Sequence, residues 1–138
     1  MSARREASVS IVVPFHDIDS VGIVWHGHYA KYFEIARCAL LDSIAYGYNA
    51  MRDSGYLWPV IDMHLRYIKP VRFGQEIKVK ATLKEWEYRL LIDYVVTDAA
   101  SGQRLTKGTT SQVAVDMKSG EMCLASPPIV AQCLANAT

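Results

Sequence analysis

One short segment holds most of the side chains in this sequence that could do chemistry. Residues 15–29 read FHDIDSVGIVWHGHY and include two carboxylates and three of the four histidines of the chain. These residues are Asp17, Asp19, His16, His26 and His28. A carboxylate can attack a carbonyl carbon or activate a water molecule for that attack, and an imidazole can orient the carboxylate or transfer a proton.

The pattern that follows predicts a long helix over residues 28–46. Its apolar side chains recur at spacings of three and four, which stacks them on one face. They are Tyr29, Phe33, Ala36, Leu40 and Ile44. The first N–H groups of a helix lack partners and lie at the positive end of its dipole, so they can hold a developing oxyanion or a phosphate. A carboxylate beside such donors completes the two components that thioester hydrolysis requires.

The same residues also have structural interpretations. Asp17 and Asp19 can form Asx turns, and His28 can flank the start of the helix. Gly22 indicates a backbone position with positive φ or a close approach. A divalent metal site is a further alternative, since carboxylate and imidazole are its usual ligands, but no pair of these residues has the i, i+4 spacing of the HExxH motif. We expect no metal, and the local pattern leaves the catalytic and structural interpretations open.

Strand patterns account for most of the remaining chain. The segments that read as strands are residues 8–15, 57–68, 76–86, 88–97 and 104–116, and residues 129–135 suit a short helix. Short connections between the last strands indicate hairpins, so one long helix against an antiparallel sheet predicts an α+β fold in a single domain, residues 1–138. A second apolar side of the helix is formed by Tyr32, Ile35, Cys38 and Leu41. Because one helix covers only part of such a sheet, the uncovered apolar surface predicts self-association.

Composition and charge indicate an ordinary globular protein. Hydrophobic residues make up 51% of the chain, and 15 Lys and Arg against 14 Asp and Glu give a formal net charge of +1. This balance gives no overall reason to expect a nucleic-acid partner, and no apolar run approaches the roughly 20 residues of a membrane span. Ser10 and Pro14 interrupt the apolar stretch near the N-terminus, which makes a poor signal peptide. The three cysteines lack zinc-like spacing, and we expect a cytoplasmic protein with idle thiols.

The segment around the two carboxylates resembles a known family signature. Residues 17–37, DIDSVGIVWHGHYAKYFEIAR, are similar to the signature of the 4-hydroxybenzoyl-CoA thioesterase family, including its YbgC-like branch. That pattern is Asp-x-Asp-x-x-Gly-x-Val-x-His-x-x-Tyr, followed by a Phe-Glu-x-x-Arg helix. The positions that meet it are Asp17, Asp19, Gly22, Val24, His26, Tyr29, Phe33, Glu34 and Arg37. The stretch RYIKPVRFGQEI also resembles a strand junction of the family, through Tyr67, Pro70, Glu76 and Ile77.

The resemblance implies both a fold and a reaction. The fold is the hotdog fold, in which a five-stranded antiparallel sheet wraps around one long central helix. Two subunits form a homodimer with active sites at the interface, and dimers commonly pair into tetramers. The implied reaction is hydrolysis of an acyl-CoA thioester to a free acid and CoA, without a cofactor. By the same match, Asp19 is the nucleophile or general base, His26 assists it, and backbone N–H groups near His26 polarise the thioester carbonyl.

The resemblance also names a wider set of site residues. Those expected to shape or contact the substrate site are Asp17, Gly22, Trp25, Gly27 and Tyr29. CoA is polyanionic, so basic residues on or near strand ends in the second half of the chain are candidates to contact its phosphates: Arg66, Lys69, Arg72, Lys84 and Arg89. Two alternatives stay open: a thioesterase that acts on acyl carrier protein, and a non-catalytic module that binds acyl-CoA or acyl carrier protein. A hotdog dehydratase normally uses a His with a Glu in another motif, which this sequence lacks.

Overall fold

The computed structural model describes residues 5–137 of the chain. Its strands are β1 (Glu6–Val12), β2 (Tyr56–Leu57), β3 (Val60–Tyr67), β4 (Glu76–Glu85), β5 (Leu90–Asp98), β6 (Arg104–Gln112) and β7 (Val115–Asp116). Its helices are α1 (Tyr29–Ser43), α2 (Tyr48–Asp53) and α3 (Pro128–Asn136), and two 3₁₀ turns, Phe15–Asp17 and His26–His28, precede α1. None of the helices within these residues is long and apolar enough to cross a membrane. The ends of the predicted domain, residues 1–4 and 138, lie outside the described residues.

Five strands form one antiparallel sheet in the order β1-β4-β5-β6-β3. The neighbours β4, β5 and β6 follow one another as hairpins, as their short connections predict. β3 does not lie beside β4 but pairs with β6 at the opposite edge of the sheet, because residues 68–75 carry the chain across. β2 and β7 form a separate two-stranded ribbon. The predicted α+β fold with a five-stranded antiparallel sheet around a long helix is confirmed.

The core lies between α1 and the concave face of the sheet. The predicted apolar face of α1 is confirmed, since all five of its side chains are at most 4% exposed. Phe33 stacks parallel to the ring of Tyr94 on β5, with ring centroids 4.4 Å apart. Gly108 of β6 allows this approach, because a side chain there would collide with the Phe33 ring and the His64 carbonyl oxygen. The helix is therefore held close to the strands that surround it.

The end of α1 differs from the sequence prediction. The helix ends at Ser43 instead of residue 46, because Ala45 adopts a positive φ of 56°. The N–H groups of Ile44 and Tyr46 both donate to the Leu41 carbonyl, which closes the last turn. The apolar spacing continues to Ile44 and for that reason gives no sign of the stop.

Other boundaries also differ from the prediction. The predicted loop before residue 56 contains α2, whose six residues are too few for a periodic pattern. The predicted strand 57–68 divides into β2 and β3 around Pro59, which cannot donate a hydrogen bond to a sheet. The strand predicted at 104–116 likewise divides into β6 and β7. The short C-terminal helix is confirmed as α3.

β3 forms an exposed edge of the sheet. Its side chains Val60, Ile61 and Met63 are 38%, 57% and 37% exposed. On the second apolar side of α1, Tyr32 and Leu41 are buried, whereas Ile35 and Cys38 are exposed. One protomer thus leaves apolar surface uncovered along one edge of the sheet and on one side of the helix.

Candidate active site

Asp19 lies at the start of a tight turn between β1 and α1. Ile18 and Val24 pair as an antiparallel bridge on the two sides of this turn, and the Asp19 N–H donates to the Ile23 carbonyl at 2.8 Å. The Asp19 Oδ1 accepts the N–H of Val21 at 2.8 Å and that of Ile23 at 3.4 Å. The carboxylate therefore forms the Asx turn that the structural interpretation predicts. Both hydrogen bonds use Oδ1, so the turn is held without Oδ2.

Gly22 closes this turn in a conformation that favours glycine. Its N–H donates to the Asp19 carbonyl at 3.1 Å, and its φ is +87°. This left-handed value costs a residue with a side chain about 1 kcal/mol or more, and a left-handed glycine after a turn is a common way to close a hairpin. Gly22 therefore acts on the site through the backbone.

The segment that follows β3 fixes the Asp19 turn from the other side. The Val24 N–H donates to the Val71 carbonyl at 2.8 Å, and Ile23 pairs with Arg72 as an antiparallel bridge. Val71 is fully buried, so the turn is tied to the core and not to a mobile loop.

A cavity of about 340 Å³ opens beside the turn. It is lined by Asp19, Ile23, Val24, His26, Tyr29, Tyr67, Ile68, Lys69 and Pro70. Of the predicted site residues, the structure brings Asp19, His26 and Tyr29 together here, and Lys69 joins them. Tyr67, Ile68 and Pro70 also line this cavity, but they were not predicted from the sequence as site residues. The Tyr-x-x-Pro junction in the sequence is the signal that could have identified this wall.

The N-terminal end of the long helix also lies at this cavity. The 3₁₀ turn that begins at His26 runs directly into α1, and neither Trp25 nor His28 caps it with a side-chain hydrogen bond. The first N–H groups of this helical stretch therefore keep the anion-binding character of a helix start. The cavity thus joins a carboxylate to a set of backbone donors.

Tyr67 reaches this helix start from the end of β3. Its hydroxyl donates to the His26 carbonyl oxygen at 2.8 Å, and its ring packs edge-on against Tyr29 with centroids 5.1 Å apart. Burial raises the pKa of Tyr67 and of Tyr29, so both phenols stay protonated at neutral pH. Because the His26 carbonyl and the Gly27 N–H belong to one planar peptide unit, the Tyr67 hydrogen bond also orients that N–H.

Trp25 and Gly27 form the outer surface of the helix start. The Trp25 ring lies over Gly27 and leaves no room for a side chain there. Its centroid is 5.0 Å from the ring of His26 and 5.3 Å from that of His28, and the side chain is 47% exposed. Neither Trp25 nor Gly27 is among the residues that line the cavity.

Asp17 is separated from Asp19 and lies inside the protein. It is fully buried, accepts hydrogen bonds from Lys31 Nζ and the Tyr32 hydroxyl at 2.6 Å each, and accepts the Trp25 N–H on its carbonyl at 3.0 Å. Burial raises the pKa of Asp17, but the hydrogen bonds from Lys31 and Tyr32 and the charge of Lys31 outweigh it and lower the pKa. Asp17 therefore joins the loop to the first turn of α1 and does not line the cavity.

The structure does not gather the four candidate metal ligands into one site. Asp19 and His26 line the cavity, whereas Asp17 is buried against α1 and has His28 Nδ1 3.9 Å away. Among residues 5–137, no group of three or more His, Cys, Asp or Glu could hold a metal ion.

Comparison with known proteins assigns the family. The sequence pattern of the Thioesterase-like superfamily matches residues 13–133, which is most of the chain and includes the whole cavity. The chain belongs to this superfamily. Membership of this superfamily makes it a thioester hydrolase. Asp19 lies within the matched residues.

Two curated relatives are each 30% identical to this thioesterase-like chain over the aligned residues. YneP of Bacillus subtilis strain 168, named provisionally as an acyl-CoA thioesterase, is 30% identical over 110 residues, which cover 79% of each chain. The protein sll0410 of Synechocystis, named provisionally as an esterase, is 30% identical over 123 residues, which cover 88% of this chain and 74% of its own.

Solved structures show the same fold. The hypothetical protein TT1821 of Thermus thermophilus superposes with a TM-score of 0.83 at 27% identity, covering 95% of this chain and 98% of its own. The DHNA-CoA thioesterase of Staphylococcus aureus superposes with a TM-score of 0.84 at 21% identity, covering 95% and 89%. These likenesses confirm the hotdog fold.

The buried Asp17 carboxylate predicts a pH-dependent stability. Because its pKa is lower in the folded than in the unfolded chain, it stabilises the fold above about pH 4, and this contribution is lost as the pH falls through the folded-state pKa. We expect Asp17→Asn to lower the free energy of unfolding by about 2 kcal/mol at pH 7, and by less at pH 3. Urea denaturation at both pH values measures this, with Asp53→Asn, an exposed carboxylate, as control. An equal loss at both pH values contradicts the prediction.

Proposed function

We propose that this protein is an acyl-CoA thioesterase in which Asp19 is the catalytic carboxylate. The proposal rests on one observation: Asp19 and the N-terminal end of the helical stretch lie at the same cavity. Asp19 and His26 line the same cavity of about 340 Å³, and the helical stretch begins at His26. The superfamily match over residues 13–133 fits this chemistry.

The chemistry follows from the charge that develops during hydrolysis. When the thioester carbonyl is attacked, its oxygen becomes negative, and the unpaired N–H groups at the helix start stabilise it. In one route an oxygen of Asp19 bonds to the acyl carbon and expels the CoA thiolate, and water then cleaves the resulting anhydride. In the other route Asp19 takes a proton from a water molecule that attacks the same carbon. Both routes end with a free acid and a thiol.

His26 is proposed to assist from the rim of the cavity. Its side chain is exposed and lines the same space as Asp19, so the imidazole is available to orient the carboxylate or to protonate the leaving thiolate. Tyr29 packs beneath the cavity, where it is 3% exposed, and we assign it to the wall of the substrate site. Asp17, Gly22, Trp25 and Gly27 are proposed to shape the backbone around them.

The name of the YneP relative supports CoA as the thiol carrier. We also propose that the chain lies in the YbgC-like branch of the 4-hydroxybenzoyl-CoA thioesterase family, on the strength of the Asp-x-Asp-x-x-Gly-x-Val-x-His signature. A thioesterase acting on acyl carrier protein and a non-catalytic binding module are the alternatives. Turnover of a panel of acyl-CoA esters would support the acyl-CoA thioesterase and count against both alternatives.

We further propose a homodimer joined through β3, with dimers pairing into tetramers. β3 is an edge strand with exposed apolar side chains, and such an edge is a template for pairing with another strand, whereas the exposed side chains of β1 include Ser8 and Ser10. A two-fold axis pairs β3 with its copy in antiparallel fashion. The Tyr67 end of one β3 would then meet the Val60 end of the other.

This pairing gives the active site a second wall. A larger cavity of about 610 Å³ lies near the start of β3. Its apolar lining includes Leu41, Met51, Leu57 and Trp58. In the proposed dimer it would face the catalytic cavity of the partner and supply room for an acyl group.

A charge on the open edge tests the dimer. We expect Met63→Lys to shift the protein to a monomer in analytical ultracentrifugation and to lower turnover at least tenfold, because a lysine would be buried at the interface. Val12→Lys introduces the same charge at an exposed apolar position of β1 and is the control. A dimer that persists in Met63→Lys with a normal circular dichroism spectrum counts against β3 as the interface.

Removing the charge of Asp19 tests the catalytic assignment. We expect Asp19→Asn to lower kcat for acyl-CoA hydrolysis about a thousandfold, because an amide is neither a nucleophile nor a base here. Release of free thiol from a panel of acyl-CoA esters measures the rate. Asp116→Asn is a matched control, since Asp116 also accepts two backbone N–H groups of its own turn through Oδ1. Turnover that survives in Asp19→Asn would move the catalytic role to another residue.

The Tyr67 hydroxyl provides a separate test of the helix-start donors. We expect Tyr67→Phe to lower kcat about tenfold and to leave KM nearly unchanged, because the hydroxyl fixes the backbone of His26 at the start of the helical stretch, where the proposed donors lie. Thermal unfolding monitors stability, and Tyr88→Phe, at a tyrosine that is 66% exposed, is the control. Equal effects on kcat and on stability would point to packing alone.

A further inference from the structure

A second cleft adjoins the catalytic cavity. It measures about 620 Å³. Its lining residues are Lys69, Pro70, Arg72, Phe73, Gly74, Gln75, Gln103 and Leu105. Lys69 and Pro70 line both this cleft and the catalytic cavity. The two spaces therefore adjoin at these two residues.

The cleft presents two cations without an acidic partner. Within the described residues 5–137, neither Lys69 nor Arg72 takes part in an ion pair. Arg89, another candidate for phosphate contact, instead pairs with Glu85 at 3.3 Å. Arg66 and Lys84 are exposed and belong to neither cavity wall. Of the five basic candidates, only Lys69 and Arg72 therefore face a space next to the catalytic site.

An exposed aromatic ring lies beside these cations. Phe73 is 59% exposed and packs edge-on against Phe15, with centroids 5.5 Å apart and Phe15 73% exposed. Two large exposed rings in contact are unusual on a surface with no partner. A planar base can stack on such a ring, and stacking is largely independent of the identity of the base.

The backbone of the cleft is fixed before any ligand arrives. The Arg72 N–H donates to Gln75 Oε1 at 3.0 Å, and Gln75 Nε2 donates to Asp98 Oδ1 at 2.9 Å. The Gly74 N–H donates to the Val13 carbonyl at 3.0 Å. The turn that carries Arg72 and Phe73 is thus tied to β5 and to the end of β1, which lowers the entropy cost of binding.

We propose that this cleft binds the adenosine 3′,5′-bisphosphate end of the CoA substrate, with Lys69 and Arg72 on its phosphates and the adenine on Phe73. The proposal rests on the acyl-CoA thioesterase function proposed above. Guanidinium and ammonium groups are the usual partners of phosphate, and Arg binds it through two parallel hydrogen bonds. An acyl carrier protein lacks the nucleotide, so this cleft makes CoA the preferred carrier.

Two substrates with the same reacting group test the proposal. We compare an acyl-CoA with the acyl-pantetheine of the same acyl group, which lacks the nucleotide, in the wild type and in Arg72→Gln. We expect Arg72→Gln to lower kcat/KM for the acyl-CoA about tenfold, chiefly through KM, as for the loss of one charged hydrogen bond. We expect the acyl-pantetheine to be hydrolysed at an unchanged rate. Phe73→Ala gives a second, uncharged variant with the same expected pattern.

The control variant removes one charge elsewhere. Lys118→Gln changes the net charge by the same amount at an exposed residue that lines neither cavity, and we expect it to leave both substrates unaffected. Equal losses on both substrates in Arg72→Gln would overturn the proposal, because they would indicate damage to the Asp19 turn through its bridge with Arg72. A loss of similar size for an acyl carrier protein substrate would overturn it in favour of a protein-docking surface.

A binding measurement separates the cleft from the reaction. We expect adenosine 3′,5′-bisphosphate alone to bind the wild type in isothermal titration calorimetry and to bind Arg72→Gln about tenfold more weakly. Binding of this probe with no turnover of any thioester would contradict the proposed function and leave the cleft assignment standing. Turnover of acyl-CoA and acyl-pantetheine with equal kcat/KM, together with no binding of the probe, would overturn the cleft assignment alone.

Discussion

The buried carboxylate of Asp17 is the interaction on which the rest of the site depends. A carboxylate with no exposed surface must be paired, because burial without partners is costly. Its partners, Lys31 and Tyr32, both belong to the first turns of α1. The same residue holds the start of the helical stretch through the Trp25 N–H. One residue, through its side chain and its backbone carbonyl, therefore fixes the loop that carries Asp19 against the start of the helix.

The turn-forming role of Asp19 and its proposed catalytic role are compatible because a carboxylate has two oxygens. Oδ1 closes the Asx turn, and the turn holds the group at the wall of the cavity. The sequence left the structural and catalytic interpretations as alternatives, yet the same turn would position the carboxylate for the proposed chemistry. Preorganisation of this kind avoids the reorganisation that a free side chain would need.

The sequence predicted the fold more fully than the site. The apolar spacing over α1 and the alternation in β4 are repeated signals over many residues, and the structure confirms the helix and the sheet they predict. The stop at Ala45, the six-residue α2 and the crossing of β3 to the far edge depend on single backbone conformations or on distant contacts, which periodicity does not contain.

Within the site, the sequence located the residues that are close along the chain. Asp19, His26 and Tyr29 were found from one segment, whereas the wall at residues 67–70 comes from a different part of the chain. The two carboxylates at positions 17 and 19 look equivalent in sequence, but one is fully buried and the other is partly exposed at the cavity. In a regular strand residues 17 and 19 would point to the same face. Here Asp17 ends a 3₁₀ turn and Asp19 begins the next turn, so their side chains have different surroundings.

The crossing of β3 has a consequence for the order in which the chain folds. The partner of β3 is β6, and Val60 is paired with Gln112, so the strand that carries Tyr67 has no neighbouring strand to join until β6 has left the ribosome. The wall of the active site is thus among the last parts to form, since contacts between distant segments form slowly. An unfinished chain would carry Asp19, the proposed catalytic residue, early but would complete the cavity beside it only after β6 has been made.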